Sequence, residues 1–307
     1  MKQLGNIILP VFNEEDSIQE LSRLIELEIK NLNYNFVITY IDDGSIDRTW
    51  EIIKNLKIEN AKIRKIKLSR NFGHQAAIFA GIDAFNEDFA IIMDSDFQDN
   101  PKYIKFFIEK WEEGFKLVLA KKTERKGEHF KRILTKIYFA IQNKLTPFNI
   151  PKNVGHFSLI DSSAINSMRK FTEVNKFLIG IRAFVGSKIA YVEVVKEKRK
   201  YGNSKVSLSR LFNLSLDGIF SFSTVPLNIL VFFSIFTFLV ILMVMTFYYF
   251  QNIFGTRAHN LSFIELSLII INLINLLNFA VIGQYISKIF YEVKDRPTYL
   301  IEEVIEI

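Results

Sequence analysis

The sequence contains no cysteine among its 307 residues. Disulfide-stabilised scaffolds, zinc sites with thiolate ligands, iron–sulfur clusters and cysteine nucleophiles are therefore excluded. Tryptophan is nearly absent as well, with two residues against 30 phenylalanines. Hydrophobic residues make up 49% of the chain and charged residues 23%, a balance that excludes disordered and collagen-like proteins. The mean hydropathy of +0.16 indicates that part of the chain is embedded in a membrane.

Charged residues are missing from two long stretches near the C-terminus. No charge occurs in the 39 residues between Asp217 and Arg257, or in the 22 residues between Glu265 and Lys288. The residues up to Asp217 carry a net charge of +8. This distribution predicts a basic, water-soluble domain followed by an apolar C-terminal third.

Both uncharged stretches are long enough to cross a bilayer as helices. A hydrocarbon core about 30 Å thick requires roughly 20 apolar residues in a helix. Pro226–Phe250 and Leu266–Ser287 meet this requirement, whereas the alternative, a buried core helix, seldom has so long an apolar run. We therefore predict transmembrane helices at residues 226–250 and 264–290.

The second span carries amide side chains on one flank. Three asparagines are spaced by three residues, and a glutamine follows: Asn272, Asn275, Asn278 and Gln284. Such side chains are costly in lipid unless they face another helix. They predict contacts between helices, either within the hairpin or between subunits of a homo-oligomer.

Basic residues flank the two spans unequally. The segment between the spans has one full positive charge, Arg257. The opposite flanks carry five: Lys205, Arg210, Lys288, Lys294 and Arg296. Because basic flanks stay in the cytoplasm, we predict a multi-pass protein of the cytoplasmic membrane, with the N-terminal domain and the C-terminal tail inside. The first apolar run is too short for a signal peptide.

The N-terminal domain alternates short apolar runs with helical patterns. The predicted strands are Asn6–Val11, Phe36–Ile41, Ile63–Leu68, Phe89–Met93 and Lys116–Ala120. The predicted helices are at about 14–30, 47–55, 74–85 and 102–113. This alternation predicts an α/β fold with a mostly parallel sheet covered on both faces. Ligands bind at the carboxyl ends of the strands in such sheets.

Polar clusters follow four of these strands. They occupy residues 10–15, 42–49, 69–74 and 94–99. In the last cluster, Asp94 and Asp96 can share a divalent cation through oxygen ligands, and such a cation stabilises a departing diphosphate. A solvated surface pair is the alternative for these two aspartates, and a turn or helix cap is the alternative for Asp42–Ser45.

The order and spacing of the clusters are more specific than any one of them. LPVFNEE, DDGS, SRNFG and DSDFQDNP follow one another within residues 9–101. This series resembles the family 2 glycosyltransferases, and most closely the polyprenyl-phosphate branch that includes the bactoprenol glucosyltransferases and dolichol-phosphate mannose synthase. RKYGNSK at 199–205, the two-span hairpin and VKDRPTY near the C-terminus extend the resemblance over nearly the whole chain. The Gln-x-x-Arg-Trp motif of processive polysaccharide synthases is missing.

The resemblance implies a glycosyltransferase A-type fold that binds a nucleotide sugar. It assigns six residues to the nucleotide: Pro10, Phe12 and Glu14 in the base and ribose pocket, Asp42 at the base, Asp43 beside the ribose, and Arg70 near the diphosphate. The residues themselves leave other roles open. Glu14 and Asp43 are also suited to helix capping, and Arg70 to a surface ion pair.

The resemblance also implies a cofactor, Mg²⁺ or Mn²⁺, surrounded by Asp94, Asp96 and Gln98 together with the donor sugar. Where relatives read Gly-Asp-Phe-Arg, with an acidic residue implicated in catalysis, this chain reads Gly-His-Phe-Ser at 155–158. A phosphate acceptor is already anionic near pH 7 and needs no strong base, and a protonated His156 would attract it. We predict Asp94, Asp96 and His156 as catalytic residues, although a lone histidine is also compatible with a structural role.

Two basic segments precede amphipathic stretches. Lys116–Lys136 leads into 130–145, and Lys196–Arg210 leads into 206–222. Basic residues beside such stretches attract anionic lipid, although a solvated charged face is the alternative. The resemblance assigns four residues of these segments to the acceptor phosphate: Arg125, Arg199, Ser204 and Lys205.

These features together predict the domain organisation and the reaction. The predicted order is a cytoplasmic glycosyltransferase domain at 1–203, juxtamembrane amphipathic helices at 204–225, the spans at 226–250 and 264–290, and a cytoplasmic tail at 291–307. The predicted reaction is an inverting, metal-dependent transfer of one sugar to undecaprenyl phosphate for cell-envelope glycan modification. UDP-hexose, with UDP-glucose first, is the expected donor, and GDP-mannose is the second choice.

The expected partners are a nucleotide-sugar donor, a polyprenyl phosphate lipid and the membrane, with no nucleic acid. Bactoprenol relatives also suggest a tetramer. Two other functions stay open on the residues: a glycosyltransferase with a sugar or polysaccharide acceptor, and a non-catalytic membrane scaffold that keeps the fold.

Overall fold

The computed structural model describes residues 3–123, 143–146, 148–174, 176–195, 223–253 and 261–306. The chain divides into two compact units. The first unit comprises the described residues of Met1–Lys144, Phe148–Gly218 and Arg296–Ile307. The second comprises those of Leu145–Pro147 and Ile219–Asp295. The first unit is an α/β domain, and the second consists mainly of two long helices.

Eight strands form one sheet in the first unit. They are β1 (Leu4–Val11), β2 (Asn35–Asp42), β3 (Lys62–Leu68), β4 (Phe89–Ile92), β5 (Leu117–Lys122), β6 (Val154–Asp161), β7 (Ile189–Val194) and β8 (Ile301–Glu306). Their spatial order is β7-β5-β6-β4-β1-β2-β3-β8. Strands β4, β1, β2 and β3 run parallel, as do β5 and β7, whereas β6 and β8 are antiparallel to their neighbours. The prediction of a mostly parallel α/β sheet is confirmed.

In the part of the chain that the structure describes, six complete helices accompany the sheet. They are α1 (Ile18–Ile29), α2 (Thr49–Asn55), α3 (His74–Asp83), α4 (Ile104–Glu112), α5 (Ser162–Met168) and α6 (Leu178–Val185), with a short 3₁₀ turn at Pro101–Tyr103 before α4. Helix α1 begins later than the predicted residue 14, because Glu14 O accepts hydrogen bonds from the amides of Ser17 and Ile18 in a tight turn. The helix then buries apolar residues every three or four positions, which is the pattern of a helix packed on a core.

The central strands are apolar on both faces because helices cover both sides of the sheet. Ile7 and Leu9 of β1 join one core, and Ile8 lies on the opposite face, where helix α3 packs. A Cβ built on Gly81 of α3 would lie 2.5 Å from Ile8 Cγ2. The missing side chain at Gly81 therefore allows α3 to lie close against β1.

The C-terminal strand β8 forms one edge of the sheet, beside β3. Its glutamates pair with basic residues of the first unit: Lys67 with Glu302, Lys54 with Glu303, and Arg64 with Glu306. The segment expected to be a separate tail at 291–307 thus contributes a strand to the sheet of the α/β domain. Strands β6, β7 and β8 have no counterpart among the predicted elements.

The second unit contains α7 (Val225–Ile253) and α8 (Leu261–Val293). By length and composition, Val225–Phe247 and Ser267–Val293 are candidate membrane spans, with mean hydropathies of 2.8 and 1.8. At most 6% of their most apolar windows is buried within the chain, so these side chains are available to lipid. Asn272, one of the asparagines predicted to contact another helix, donates through Nδ2 to Leu268 O of its own helix. Contacts of the asparagine flank between subunits stay a prediction.

Candidate active site

The polar clusters lie at the carboxyl ends of four neighbouring strands, β4, β1, β2 and β3. Because these strands are parallel and adjacent, their carboxyl ends meet at one edge of the sheet. The chain passes from β1 to β2 and β3 on one side and then crosses to β4 on the other side of β1. The loops after β1 and β4 therefore flank a topological switch point, where such sheets bind ligands. Ser95 Oγ donates a 3.0 Å hydrogen bond to Pro10 O and joins the two loops.

The loops after β1 and β2 are tied together by side chains. Asn13 N donates to Ser45 Oγ at 2.9 Å, and Ile46 N donates to Asn13 Oδ1 at 2.9 Å. Asn13 has a φ of 52°, a left-handed conformation that asparagine tolerates better than most residues. Glu14 N donates to Thr49 Oγ1, and the Glu14 carboxylate accepts a 2.6 Å bond from Ser17 Oγ. These bonds join the loop that carries Phe12 and Glu14 to the residues after β2, and helix α1 has no side-chain cap hydrogen bond at its N-cap residue Ser17.

Two aspartates at the end of β2 differ in their hydrogen bonds. Asp42 is fully buried, and its Oδ1 accepts no hydrogen bond among the described residues. Burial raises the pKa of Asp42. Asp43 is also buried, but its oxygens accept the amides of Phe72 at 2.8 Å and Gly73 at 3.0 Å. Asp43 therefore anchors the start of α3, whereas Asp42 is enclosed with one oxygen that accepts no hydrogen bond among the described residues.

Arg70 lies in the loop after β3, with an exposed side chain. Its guanidinium carbon is 4.2 Å from the centre of the Phe72 ring, and Nη1 donates to Asn71 O at 3.3 Å. No ion pair involves Arg70 in the part of the chain that the structure describes. The alternative of a surface ion pair thus finds no support there, and the stacked guanidinium can meet an anionic ligand.

Asp94, His74 and His156 converge from three elements. Asp94 follows β4, His74 is the first residue of α3, and His156 lies in β6. Because Ile92 pairs with Ser158 in antiparallel register, residues 94 and 156 face each other across the two strands. His74 Nε2 lies 2.9 Å from Asp94 Oδ1, and His156 Nδ1 lies 4.0 Å from the same oxygen. The two imidazole rings are 4.8 Å apart, centre to centre.

The charges in this cluster follow from burial and from Asp94. Burial lowers the pKa of His74, but the hydrogen bond and the negative charge of Asp94 outweigh it, and the net pKa is raised. Burial also opposes ionisation of Asp94, yet the His74 contact holds the pKa of that carboxyl well below its usual range. Burial lowers the pKa of His156 to about 3, so its ring is neutral near pH 7. The protonated His156 invoked above to attract a phosphate is not the form that this environment favours.

The loop after β4 contains three acidic side chains. Asp96 Oδ1 accepts the amide of Gln98 at 3.1 Å, in a turn where Phe97 has a φ of 61°. Asp99 is buried, and its Oδ2 accepts the amide of Asp94 at 3.2 Å. Burial, together with the negative charge of Asp94, raises the pKa of Asp99 to about 7. Asp99 was not a predicted site residue, although it belongs to the DSDFQD segment.

A buried arginine supports the strand that carries His156. Arg182 of α6 is 2% exposed. Its Nη1 donates to Ser158 Oγ at 2.7 Å and to His156 O at 3.2 Å, and Nη2 donates to Gly155 O at 2.6 Å. Burial lowers the pKa of Arg182 to about 10. Nothing in the local sequence around Arg182 identified it as part of the site.

The donor atoms of this site suit a divalent cation. Among the described residues, His74, Asp94 and His156 form one group whose ligand atoms all lie within 4.8 Å of one another. Asp94 Oδ1 is buried and accepts no well-directed hydrogen bond there, so it has a lone pair for an ion. The predicted metal ligands Asp94, Asp96 and Gln98 lie in the same loop and share Asp94 with this group. The predicted acceptor-phosphate residues lie outside the described residues: Arg125, Arg199, Ser204 and Lys205.

Comparison with protein families finds one matching description, "Glycosyl transferase family 2", over residues 6–169. This range begins in β1 and ends just after α5, and it contains Asp42, Asp94 and His156.

Relatives match nearly the whole chain. The uncharacterized glycosyltransferase YkcC of Bacillus subtilis (strain 168) is 34% identical over 309 residues, covering 97% of this chain and 93% of that protein. The SfII prophage-derived bactoprenol glucosyl transferase of Shigella flexneri is 33% identical over 301 residues, covering 97% of each chain. Both matches extend well beyond the α/β domain and into the apolar C-terminal third.

A solved structure with a similar fold is glucosyl-3-phosphoglycerate synthase from Mycobacterium tuberculosis, in complex with Mn²⁺, UDP and glucosyl-3-phosphoglycerate. The TM-score is 0.50 and the sequence identity 19%, over 71% of this chain and 78% of that one. At this identity the likeness concerns the fold alone.

Proposed function

The chain belongs to glycosyl transferase family 2, and we propose that it transfers one sugar from a nucleotide donor to a polyprenyl phosphate, with undecaprenyl phosphate as the acceptor. That it is a glycosyltransferase follows from the family. The lipid acceptor is the proposed part.

One observation carries the choice of acceptor. The bactoprenol glucosyl transferase of Shigella flexneri matches 97% of this chain, a range that includes both apolar helices as well as the α/β domain. A soluble acceptor would not require two long helices whose side chains are exposed over most of their length. The relative's name supports glucose as the sugar and a UDP-hexose as the first donor to test. GDP-mannose is the second.

The proposed donor site is the crevice at the carboxyl ends of β1, β2 and β4. Pro10, Phe12 and Glu14 line the base and ribose pocket, which the bonds from Asn13 keep rigid. The unpartnered oxygen of Asp42 is suited to accept a hydrogen bond from the base. Asp43 lies next to the ribose and holds the loop that carries Arg70. The Arg70 guanidinium then approaches the diphosphate.

The proposed reaction is a direct displacement with inversion. An oxygen of the acceptor phosphate forms a bond to the anomeric carbon, and the bond from that carbon to the diphosphate breaks, with its electron pair leaving on the diphosphate. Asp94, Asp96 and Gln98 would hold a Mg²⁺ or Mn²⁺ ion, and such an ion would supply positive charge to the departing diphosphate. The chain's own contribution is to position two anions that repel each other in water.

His156 has a proposed role at the acceptor side of this site. It is neutral and lies 4.0 Å from Asp94. A neutral ring cannot attract the acceptor by charge, but its nitrogen lone pair would be available to a cation beside the reacting atoms. The charge that attracts the lipid phosphate is assigned to Arg125, Arg199 and Lys205, with Ser204 as a hydrogen-bond donor.

The proposed location is the cytoplasmic membrane, with the α/β domain in the cytoplasm. The two candidate spans and the basic residues on one side of them support this orientation. The proposed organisation remains a catalytic domain at 1–203, juxtamembrane helices at 204–225 and a hairpin at 226–250 and 264–290. Residues 291–307 return to the cytoplasm, and the chain forms a homo-oligomer.

A direct assay tests this proposal. Purified protein is incubated with undecaprenyl phosphate, Mn²⁺ and one labelled nucleotide sugar at a time, and the label in the organic phase is counted. We expect label from one donor and none from the Asp96→Asn variant, in which the side-chain oxygen can still accept the Gln98 amide. Folded protein that labels no lipid with any donor would contradict the lipid acceptor. Label on a water-soluble glycan would instead favour the polysaccharide acceptor, and no turnover with any acceptor would favour the scaffold.

A further inference from the structure

Two histidines lie beside Asp94, the first acidic residue of the loop after β4. His74, Asp94 and His156 come from α3, the loop after β4, and β6. Their potential ligand atoms lie within 4.8 Å of one another. Both histidines are partly buried, with side-chain exposures of 35% and 26%. The site is thus sheltered yet still open to an ion from solvent.

The distances match the size of a small divalent cation. Ions of this class hold nitrogen and oxygen ligands at about 2.0–2.2 Å, which separates two neighbouring ligand atoms by about 3 Å and two opposite ones by about 4 Å. His74 Nε2 and Asp94 Oδ1 are 2.9 Å apart, and His156 Nδ1 and Asp94 Oδ1 are 4.0 Å apart. All three ligand atoms lie within 4.8 Å of one another, which is slightly more than one ion with bonds of about 2.2 Å spans.

The surrounding residues hold each ligand in place, as outer residues do in metal sites. Arg182 binds the carbonyl oxygens of Gly155 and His156 and fixes the strand on which the His156 ring is mounted. Asp43 binds the amide of Gly73, directly before His74. Asp99 binds the amide of Asp94. The three ligands therefore approach one another without any help from a bound nucleotide.

We propose that His74, Asp94 and His156 together bind a divalent transition-metal ion through two imidazole nitrogens and one carboxylate oxygen, and that this site prefers Mn²⁺ to Mg²⁺. Imidazole ligands suit first-row transition metals, among which Mn²⁺ binds most weakly, whereas Mg²⁺ keeps to oxygen ligands and near-ideal octahedral geometry. Asp96 stays the predicted additional oxygen ligand from the same loop.

This inference builds on the proposed metal dependence and names its ligands and its selectivity.

Binding of Mn²⁺ alone to the purified full chain tests the site without any reaction. Electron paramagnetic resonance of free Mn²⁺ gives the affinity, and competition with Mg²⁺, Co²⁺ and Zn²⁺ gives the selectivity. We expect Mg²⁺ to bind at least about tenfold more weakly than Mn²⁺, and Co²⁺ and Zn²⁺ more tightly, as the usual order of affinities predicts. Equal affinity for Mg²⁺ and Mn²⁺ would overturn the proposal.

Pulsed measurements on the bound Mn²⁺ identify its ligands directly. We expect a modulation from coordinated nitrogen in the wild-type protein, and we expect this modulation to change when histidine is labelled with ¹⁵N. This comparison uses the unmodified chain, so it does not depend on whether a variant folds. Mn²⁺ that shows only oxygen ligands, or that binds only when a nucleoside diphosphate is added, contradicts the two-histidine site.

Variants separate the two rings. His156→Asp should reduce the preference for Mn²⁺ over Mg²⁺ by about tenfold or more, because a carboxylate suits both ions, whereas His74→Asn should weaken Mn²⁺ binding without favouring Mg²⁺. His259→Gln, which alters a histidine between the two spans in the sequence, is the matched control and should change neither affinity.

The failure of this inference can be told apart from the failure of the proposed function. Lipid labelling by a protein whose Mn²⁺ has only oxygen ligands leaves the transferase function standing and removes the two-histidine site. Nitrogen-coupled Mn²⁺ in a protein that labels no lipid supports the two-histidine site and contradicts transfer to a lipid acceptor.

Discussion

Arg182 donates a 2.7 Å hydrogen bond to Ser158 Oγ and thereby brings a fully buried guanidinium against the strand that holds His156. Ser158 Oγ in turn donates a 2.8 Å hydrogen bond to His156 O, which also accepts a bond from Arg182 Nη1. The guanidinium and the hydroxyl therefore hold the backbone of β6 at His156.

Replacement of Arg182 tests whether this support is needed. Arg182→Met removes the guanidinium donor from Gly155 O and Ser158 Oγ, whereas His156 O keeps the hydrogen bond from the Ser158 hydroxyl. We expect the free energy of unfolding to fall by about 3 kcal/mol, because unsatisfied buried acceptors keep their full desolvation cost. Urea unfolding of the wild-type protein and the variant measures this difference, and transfer activity is measured on the same samples. An unchanged unfolding midpoint would show that the guanidinium is not holding β6.

The exposed Arg70 provides a contrasting case. Its guanidinium lies against Phe72 and makes no ion pair among the described residues, so its loss should change stability by less than about 0.5 kcal/mol. If it meets the donor's diphosphate, Arg70→Ala removes a charge-assisted hydrogen bond, and the KM for the donor rises by about tenfold or more. Arg70→Lys should restore part of the affinity, since it keeps the charge and loses the planar geometry. Steady-state kinetics with the donor varied decides this, and an unchanged KM would remove Arg70 from the donor site.

Much of the α/β domain was predictable from the sequence because β1 to β5 are short apolar runs that end in polar clusters. Helices cover both faces of the central strands β1 and β4, so nearly every residue there is apolar and the strand ends stand out, whereas β3 reads KIRKIKL. The strands β6, β7 and β8 escaped prediction. β8 in particular reads IEEVIE and is largely exposed at a sheet edge, so its apolar pattern is weak.

The parts of the site that the sequence did not reveal depend on long-range pairing. His74 approaches His156 only because β6 lies antiparallel beside β4, a contact between residues far apart in the chain. Arg182 reaches the same strand from α6, and the burial of Asp99 depends on the packing around its loop. The spacing of residues within a short segment of sequence does not predict these contacts. The Asp94–Asp96 pair could be found because both carboxylates follow a single strand.

Asp161 links three elements and should make stability depend on pH. This buried carboxylate caps α5 through the amide and the hydroxyl of Ser163, and it also accepts bonds from Trp111 Nε1 at 2.8 Å and Lys116 Nζ at 3.0 Å. Burial alone would raise the pKa of Asp161, but these hydrogen bonds outweigh it and lower the pKa. A lowered pKa stabilises the folded chain above the unfolded value, near pH 4, and the contribution is lost as the pH falls further.

The lowered pKa of Asp161 leads to a prediction about stability. Asp161→Asn should cost about 2 kcal/mol of unfolding free energy at pH 7, through a weakened cap and a lost charge-assisted bond. The difference between the two proteins should shrink progressively below pH 4, because protonation removes the same interactions from the wild type. Urea unfolding at a series of pH values measures it. A difference that stays constant down to pH 2 would contradict the lowered pKa.

The edge strand β8 should protect β3 from opening. In the sequence β8 follows both apolar helices. It contacts β3 through backbone hydrogen bonds, and its glutamates form ion pairs with Lys67, Lys54 and Arg64. The pairs are exposed and contribute little each, so the backbone bonds carry most of the effect. Removal of residues 301–307 leaves one side of β3 without partners. We expect the amides of β3 that face β8 to exchange with deuterium about tenfold faster or more, while those of β4, in the middle of the sheet, stay protected. Hydrogen exchange followed by mass spectrometry distinguishes the two strands, and equal protection of β3 in both proteins would show that the sheet does not need its last strand.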